Sequence, residues 1–280
     1  MNIDSFLTIG STHNICEDYI IHGIIKYNNN DIPYIILSDG CSSSKHTDIG
    51  SRILTHSAKT ILENYDFSNI NNFDKNEFSK KITDNAIIVN NILGLKSSSL
   101  EATLMIMFVY NGNIYILNYG DGSIFINYKD NFLKLISFKF LENTPYYPIY
   151  SSDDKLKEFY LNTIGHHYFK TTLTKYDNID FIFDHTMTTN IIDDKINIFD
   201  SKLIKNIFIS SDGIDSFSNI IDGTFVNYID IFKQMIQFKN TNGNFLKRIM
   251  KSKRGILNKY KKNHIVNHDD LSVGCINFND

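Results

Sequence analysis

Apolar residues cluster in short runs along the first half of the chain. Residues 19–27 (YIIHGIIKY) and 33–38 (PYIILS) are rich in Ile and Tyr, and a polar NNND stretch lies between them. Two such runs on either side of a polar loop predict an antiparallel hairpin. Residues 102–126 hold three further runs, separated by an Asn-Gly and an Asp-Gly dipeptide. Because these dipeptides favour type I′ turns, the segment predicts a three-stranded meander.

Two segments between these strand blocks carry apolar residues at spacings of three and four. Residues 48–65 show this pattern with Thr47 as the candidate N-cap, and residues 74–93 repeat it before Gly94. A stripe of this kind is typical of an amphipathic helix, and a glycine just beyond the stripe is a common helix stop. Two consecutive helices are therefore predicted.

The second half of the chain has fewer clear patterns. Its apolar runs predict strands at 179–184, 205–210 and 271–278, and helices near 224–238 and 244–260. Strands and helices thus come in blocks, without regular βαβ alternation, which favours an α+β fold of antiparallel sheets covered by helices. No linker rich in Pro, Gly or Ser divides the 280 residues, so we expect a single domain over residues 1–280.

Composition narrows the class of protein. A hydrophobic content of 42% predicts a folded core, and a formal charge of −3 argues against a nucleic-acid-binding protein. No basic leader precedes an apolar stretch, and no run of about 18 apolar residues could cross a membrane, so we expect a soluble, cytoplasmic protein. Three scattered cysteines without CxxC spacing indicate neither a disulfide framework nor a zinc site. They are Cys16, Cys41 and Cys275.

Acidic residues recur where predicted strands begin or end. Three β runs lead into Asp-Gly, at Asp39, Asp121 and Asp212, while Glu17-Asp18 and Asp269-Asp270 each precede a strand. If the sheets bring these positions together, each carboxylate pair about 4 Å apart would cost roughly 4 kcal/mol at an effective dielectric of 20. Such a cluster requires cations, and ligands that are all oxygen select Mg²⁺ or Mn²⁺.

The alternative interpretation is that each Asp-Gly is an ordinary turn. It is the stronger one for Asp121 taken alone, because β runs lie on both sides of it. It is weaker for Asp39, because the polar loop CSSSKHTDIG and a helix follow instead of a second strand. The sequel to Asp212 is not an alternating strand either. The order and company of the acidic residues, rather than any one dipeptide, therefore indicate a metal site.

Six short motifs in this order resemble those of the metal-dependent type 2C (PPM) serine/threonine protein phosphatases, in a divergent, bacterial-type branch. They are GSTHNICEDY (10–19), SDGCSSSKHTDIGSRI (38–53), EAT (101–103), NYGDGSIFI (118–126), SSDGIDSF (210–217) and DDLSVG (269–274). The resemblance implies a four-layer α/β/β/α sandwich, in which two mainly antiparallel sheets are flanked by helices and a metal centre lies at one edge.

Family membership also implies roles for individual residues. Asp39 matches the carboxylate that bridges two metals, and Gly40 offers a backbone carbonyl beside it. Asp212 and Asp269 match the other carboxylates on the first metal. Asp121 matches a residue that helps to hold a third metal in some members. Glu17 and Asp18 match the acidic pair that holds the second metal directly or through water. Which of the two is the direct ligand stays open.

The chain departs from the best-known members at the substrate side. His13 stands where many have an Arg that grips the substrate phosphate, and it lacks the bidentate fork of Arg. Cys41 stands where some have a proposed general-acid His, and the Ser42 and Ser43 pair replaces glycines. Asp270 occupies a position that is usually Asn or Asp and matches a group that supports the ligands.

The resemblance implies a mechanism and partners. A water that bridges two Mg or Mn ions would attack phosphoserine or phosphothreonine directly, without a covalent intermediate, and His13, Asp39 and Asp212 would carry the catalysis. The substrate would be a phosphorylated protein, with a serine/threonine kinase as a signalling partner and with neither nucleic acid nor a membrane involved. The alternatives are a catalytically silent phosphatase fold that binds a partner, and hydrolysis of a small phosphoester. The basic segment 239–264 is interpreted as a solvated helix face in preference to a docking surface.

Overall fold

The apolar runs of the sequence become strands in a computed structural model that describes residues 1–175, 182–191 and 195–278. The strands, numbered in chain order, are β1 (Asn2–Thr8), β2 (Tyr19–Tyr27), β3 (Asn30–Ser38), β4 (Leu104–Tyr110), β5 (Asn113–Tyr119), β6 (Gly122–Tyr128), β7 (Leu133–Phe140), β8 (His167–Lys175), β9 (Ile182–Asn190), β10 (Asn197–Asp200), β11 (Ile204–Ser210), β12 (Phe217–Asn219), β13 (Ile265–Asn267) and β14 (Leu271–Asn277). The helices are α1 (Thr47–Glu63), α2 (Lys75–Ile92), α3 (Asp154–Thr163), α4 (Tyr228–Met235), α5 (Phe245–Lys251) and α6 (Ile256–Lys262).

Most of these strands build two antiparallel sheets. One has seven strands in the order β1-β14-β11-β6-β7-β8-β9, and the other has five in the order β10-β5-β4-β3-β2. β12 and β13 form a separate two-stranded pair. The last strand in the chain, β14, thus lies inside the larger sheet, between β1 and β11.

Three apolar clusters define the layers. Buried residues of β2 to β5 pack with α1 and α2 on one outer side. Those of β1, β6, β11 and β14 pack with α4, α5 and α6 on the other outer side. A third cluster, with Ile35, Met107, Ile124 and Ile209, joins the inner faces of the two sheets. The predicted α/β/β/α sandwich is confirmed.

Two hairpins follow the predicted turn chemistry. Tyr27 pairs with Asn30 at the end of the β2–β3 ladder, and the two residues between them, Asn28 and Asn29, both have positive φ. Asn111 and Gly112, between β4 and β5, also both have positive φ. Two central residues of positive φ are what a type I′ turn needs, and Asn and Gly adopt this conformation at low cost.

The predicted meander over 102–126 is wrong at its second turn. β5 lies in the five-stranded sheet and β6 in the seven-stranded sheet, so Asp121 and Gly122 lead the chain from one sheet to the other. Gly122 has φ 129°, and a Cβ on it would lie 2.7 Å from the carbonyl oxygen of Ser210. The glycine therefore allows β6 to begin against β11, and Asp121 is left at the seam between the sheets.

Other predicted boundaries also change. His46, with φ 63°, is the N-cap of α1, so Thr47 is the first helical residue and not the cap. The segment 244–260 is two helices, because the backbone of Ser252 is extended and Gly255 packs against the carbonyl oxygen of Met250. Of the predicted strand 179–184, residues 179–181 lie outside the described residues, and β9 begins at Ile182.

One further strand, β1, was not among the sequence-based predictions. β1 is a strand that apolar periodicity does not predict, because one of its two buried positions is Asp4. The Asp4 carboxylate accepts hydrogen bonds from the Leu246 backbone N–H at 2.6 Å and from that of Ser5 at 2.8 Å.

No helix within the described ranges is both long and apolar enough to span a bilayer.

Candidate metal centre between the two sheets

Strand pairing brings the predicted acidic residues to one edge of the sandwich. Tyr19 pairs with Ser38, so Asp18 just before β2 and Asp39 just after β3 are neighbours in the smaller sheet. In the larger sheet, β11 and β14 are adjacent and antiparallel, so the segment after β11 meets the segment before β14. The two sets meet where the Ser211 hydroxyl donates to Asp18 Oδ2 at 2.7 Å.

Asp39 is the centre of this cluster. Its backbone N–H donates to Thr103 Oγ1 at 3.1 Å, and its carbonyl oxygen accepts from the Thr103 N–H at 2.8 Å, which fixes the start of the loop after β3. Burial raises the pKa of Asp39 well above its usual value, and the negative charges of Asp18, Asp212 and Asp121 raise it further. The carboxylate therefore lies among like charges.

Asp18 is the most deeply buried member, with 1% of its surface exposed. Burial raises its pKa, although the hydrogen bond from Ser211 opposes the shift. Its second oxygen, Oδ1, is buried and has no hydrogen-bond partner in the part of the chain that the structure describes. An unsatisfied buried carboxylate oxygen is costly, so this atom is a natural ligand for a cation.

Asp121 and Asp212 approach from the larger sheet. Burial raises the pKa of Asp121 well above its usual value, and the charges of Asp212 and Asp269 add to the shift. Desolvation likewise raises the pKa of Asp212, although the residue remains exposed to solvent, and the charge of Asp269 contributes further. Lys139 opposes both shifts, but its Nζ is paired with Asp215 Oδ2 at 2.9 Å. The nearby positive charge is therefore already engaged.

Glu17 and Gly40 form the floor of the loop that follows β3. The Gly40 N–H donates to the Glu17 carbonyl oxygen at 3.2 Å, and the Thr47 hydroxyl donates to Glu17 Oε1 at 2.9 Å. Burial raises the pKa of Glu17, and the hydrogen bond from Thr47 opposes this. Glu17 is thus tied to the first turn of α1, whereas the charge of Asp18 acts on Asp39 directly.

His13 lies beside the two acidic residues before β14, although its buried Nδ1 makes no hydrogen bond within the described ranges. Its Nδ1 lies 3.2 Å from Asp270 Oδ2, and its Nε2 lies 3.6 Å from Asp269 Oδ1. Asp270 also accepts hydrogen bonds from the backbone N–H groups of Gly10 at 2.7 Å and Glu17 at 2.6 Å. Asp270 is 1% exposed, so its buried carboxylate holds the backbone of the motif at residues 10–19 in place.

Glycine is required at one more position of the site. A Cβ on Gly213 would lie 1.7 Å from the carbonyl oxygen of Asp270. This close approach holds the turn that carries Asp212 against the segment that carries Asp269. The Asp-Gly of this strand end is therefore a packing device that brings two acidic segments together, and not a hairpin turn.

Three hydroxyl residues support the carboxylates and were missed as functional positions. Thr47 binds Glu17, Thr103 brackets Asp39, and Ser211 joins Asp18 to β14, whose Ser272 N–H donates to the Ser211 hydroxyl at 3.0 Å. All three lie within the quoted motifs, and this was the only sequence signal that pointed to them. Cys41 contacts Ser43, with 3.0 Å between Sγ and Oγ.

The residues fit hard divalent ions by their chemistry. Across residues 1–175, 182–191 and 195–278, no group of three or more His, Cys, Asp or Glu residues is arranged so that it could hold an ion as it stands. The donors are nevertheless oxygens, Asp18 Oδ1 lacks a partner among the described residues, and the raised pKa values reflect burial first and then repulsion, which a cation would offset.

The whole chain resembles solved bacterial phosphatases in fold. Similar structures include a bacterial serine phosphatase (13% identity, TM-score 0.56, covering 100% of this chain and 98% of that one). They also include the serine/threonine phosphatase Stp1 from Staphylococcus aureus (14%, 0.57, 100% and 96%) and the S. agalactiae serine/threonine phosphatase (15%, 0.53, 98% and 97%). At these identities the likeness shows the fold alone.

The sequence comparisons identify the family. No curated protein shows a significant match to the chain. The family model described as protein phosphatase 2C matches residues 11–252, which include four of the six motifs in full and the first motif from Ser11 onward. The chain therefore belongs to the protein phosphatase 2C family, and its low identity to the solved bacterial members marks it as a divergent one.

Proposed function

We propose that this protein is a metal-dependent phosphatase that hydrolyses phosphoserine and phosphothreonine in proteins. The observation that carries the proposal is the gathering of Asp18, Asp39, Asp121 and Asp212, from two sheets, into one cluster of mutually repelling carboxylates. Retaining such a cluster is destabilising unless cations occupy it. Membership of the protein phosphatase 2C family supports the same chemistry.

The proposed ligands combine the family resemblance with the positions of the oxygens. Asp39, the Gly40 carbonyl, Asp212 and Asp269 would hold a first Mg or Mn ion. Asp39 would bridge to a second ion, for which Asp18 is the better-placed of the acidic pair, because its Oδ1 is buried and unpartnered within the described ranges. Glu17 would act through water, since its Oε1 is engaged by a hydroxyl. Asp121 would serve a third ion together with Asp212.

The other residues supply binding and orientation. Divalent ions at such a site lower the pKa of water and neutralise phosphoryl oxygens. His13 would donate a hydrogen bond to a phosphoryl oxygen, with its ring oriented by Asp270. Cys41 is given no role in this proposal, and its Sγ lies 3.0 Å from the Ser43 hydroxyl.

The cellular setting belongs to the same proposal. The substrate would be a phosphorylated protein, and a serine/threonine kinase would be the signalling partner that produces it. Three free cysteines suit a reducing compartment, so we place the activity in the cytoplasm. We also propose that residues 1–280 act as one catalytic domain.

Hydrolysis of p-nitrophenyl phosphate with and without added Mn²⁺ tests the proposal. We expect turnover that depends on Mn²⁺, and a loss of at least about 10²-fold in Asp39→Asn. Asp84→Asn is the matched control, because Asp84 is exposed on α2 and lies outside the cluster. Titration calorimetry should show Mn²⁺ binding to the wild type and weaker binding to Asp39→Asn. A phosphopeptide panel would then distinguish a phosphoprotein from a small phosphoester as substrate.

A catalytically silent phosphatase fold is the second candidate. It is favoured by the absence, among the described residues, of three side chains already arranged to hold an ion, and by His13 in place of the usual Arg. No turnover with Mn²⁺, together with no Mn²⁺ binding by calorimetry, would establish this candidate and overturn the enzyme proposal.

A further inference from the structure

A basic groove lies in the outer helical layer, away from the carboxylate cluster. It is a cavity of about 810 Å³ between α4, α5, α6 and the segment that joins α4 to α5. Five cationic side chains line it: Lys239, Arg248, Lys253, Arg254 and Lys259. None of the acidic residues of the candidate metal centre lines this groove.

These cations have no acidic partner among the described residues. In the part of the chain that the structure describes, none of the five forms an ion pair, and Arg248 donates instead to the Asn240 side-chain oxygen at 2.7 Å. Residues 231–268 contain ten Lys and Arg residues and no Asp or Glu, although the whole chain carries −3. The remainder therefore carries −13, so positive charge is segregated onto this surface.

The floor of the groove is apolar. Phe238, Phe245, Ile249 and Ile256 contribute to its lining, and Phe238 is only partly buried. Gly255 keeps the wall between α5 and α6 narrow, because a Cβ there would lie 2.6 Å from the Met250 carbonyl oxygen. A concave surface with cations at the rim and aromatic and aliphatic groups below suits a ligand that is anionic and also partly apolar.

We propose that the groove binds an acidic segment of a partner protein, with carboxylate or phosphate groups at the rim and an apolar side chain on the floor. A peptide segment fits a cavity of this size, whereas a bilayer surface is too flat to enter it and a nucleic-acid backbone would not use the apolar floor. This inference rests on the proposed function and adds a substrate preference to it. Protein substrates that carry an acidic stretch apart from the phosphorylated residue are preferred.

Fluorescence anisotropy with a labelled peptide of about eight residues, made of Glu around one central Phe, tests binding directly and without metal. Lys253→Glu/Arg254→Glu/Lys259→Glu reverses three lining charges on exposed side chains. The matched control reverses three exposed charges of the same basic segment that do not line the groove. Its substitutions are Lys247→Glu, Lys261→Glu and Lys262→Glu.

We expect saturable binding that weakens at least about tenfold in the lining variant and less than about twofold in the control variant. Replacing the central Phe of the probe by Ser should also weaken binding. Equal loss in both variants would mean diffuse attraction and would overturn the groove. Tighter binding of a single-stranded oligonucleotide or of phosphatidylserine vesicles than of the peptide would overturn the choice of a protein partner.

Turnover separates this inference from the proposed function. Both triple variants should hydrolyse p-nitrophenyl phosphate like the wild type, because neither alters the candidate metal centre. For a phosphopeptide extended by an acidic stretch, the lining variant alone should show a raised KM. If the peptide binds the groove but no substrate is ever hydrolysed, the groove stands and the phosphatase proposal falls. If hydrolysis occurs but the peptide does not bind, the reverse holds.

Discussion

Neutralising Asp39 should stabilise the metal-free protein while it removes activity. Asp39 is half-buried beside the carboxylates of Asp18, Asp121 and Asp212, and desolvation followed by repulsion from these charges raises its pKa. Asp39→Asn keeps the shape of the side chain and removes one of these charges. The backbone contacts with Thr103 do not involve the carboxylate, so the loop after β3 should keep its conformation.

The size of the effect follows from charge separation. One ionised pair about 4 Å apart costs roughly 4 kcal/mol at an effective dielectric of 20, and coupled groups lower this by sharing protons. We therefore expect a gain of about 1–3 kcal/mol in the free energy of unfolding near neutral pH. For a chain of this size that corresponds to a rise in Tm of about 2–5 °C.

The pH dependence has a definite sign. Because the folded-state pKa of Asp39 lies above the usual 3.8, the folded protein binds this proton more tightly than the unfolded chain does. The destabilisation is absent at pH values below the usual pKa and grows as the pH rises through the folded-state pKa. The advantage of Asp39→Asn should therefore be largest at neutral and alkaline pH and should fade in acid.

Urea unfolding in EDTA at several pH values measures the effect, with Asp84→Asn as the control for loss of one negative charge on the surface. Added Mn²⁺ should reverse the order, since ligand binding stabilises the wild type by mass action and the variant much less. If Asp39→Asn is less stable than the wild type in EDTA at alkaline pH, while Asp84→Asn is unchanged, the repulsion argument is wrong.

Three further substitutions test individual contacts described above. Gly213→Ala places a Cβ 1.7 Å from the Asp270 carbonyl oxygen and should cost about 3 kcal/mol or more in urea unfolding; a loss below about 1 kcal/mol would refute the close approach. Asp4→Ala leaves the Leu246 N–H unpaired and should cost about 1–3 kcal/mol, and unchanged stability would contradict the assigned role. Burial lowers the pKa of His13, but Asp270 and neighbouring carboxylates outweigh this and raise it, so His13→Gln should destabilise more below the usual pKa of 6.5 than above the folded-state value. Equal losses at both pH values would argue against the ion pair.

Local signals predicted the parts of the fold that local chemistry determines. The β2–β3 hairpin, α1 and α2 follow from apolar spacing and from turn residues such as Asn28 and Asn29. β1 was missed because an inward position is filled by Asp4, whose partner is a backbone N–H more than 200 residues away. The crossing from β5 to β6 was missed because Asp-Gly is equally compatible with a hairpin and with a change of sheet.

Part of the candidate site could also be predicted from the sequence. Acidic residues at strand ends indicated a cluster, and the structure brings Asp18, Asp39 and Asp212 together. The hydroxyl groups that support them were not predictable, because Thr47 and Ser211 act across 30 and 193 residues of sequence. The helical periodicity of α1 suggested a capping role for Thr47, whereas tertiary contact with Glu17 determines its actual one.

The position of β14 inside the larger sheet has a consequence for biosynthesis. Ribosomes make β14 after every other strand described here, yet it must insert between β1 and β11 and deliver Asp269 and Asp270 to the edge. Among the described strands, a nascent chain therefore leaves β1 without a strand partner and β11 unpaired on one side until β14 has been made. A fragment that stops before β14 would lack Asp269 and Asp270, so it should be inert.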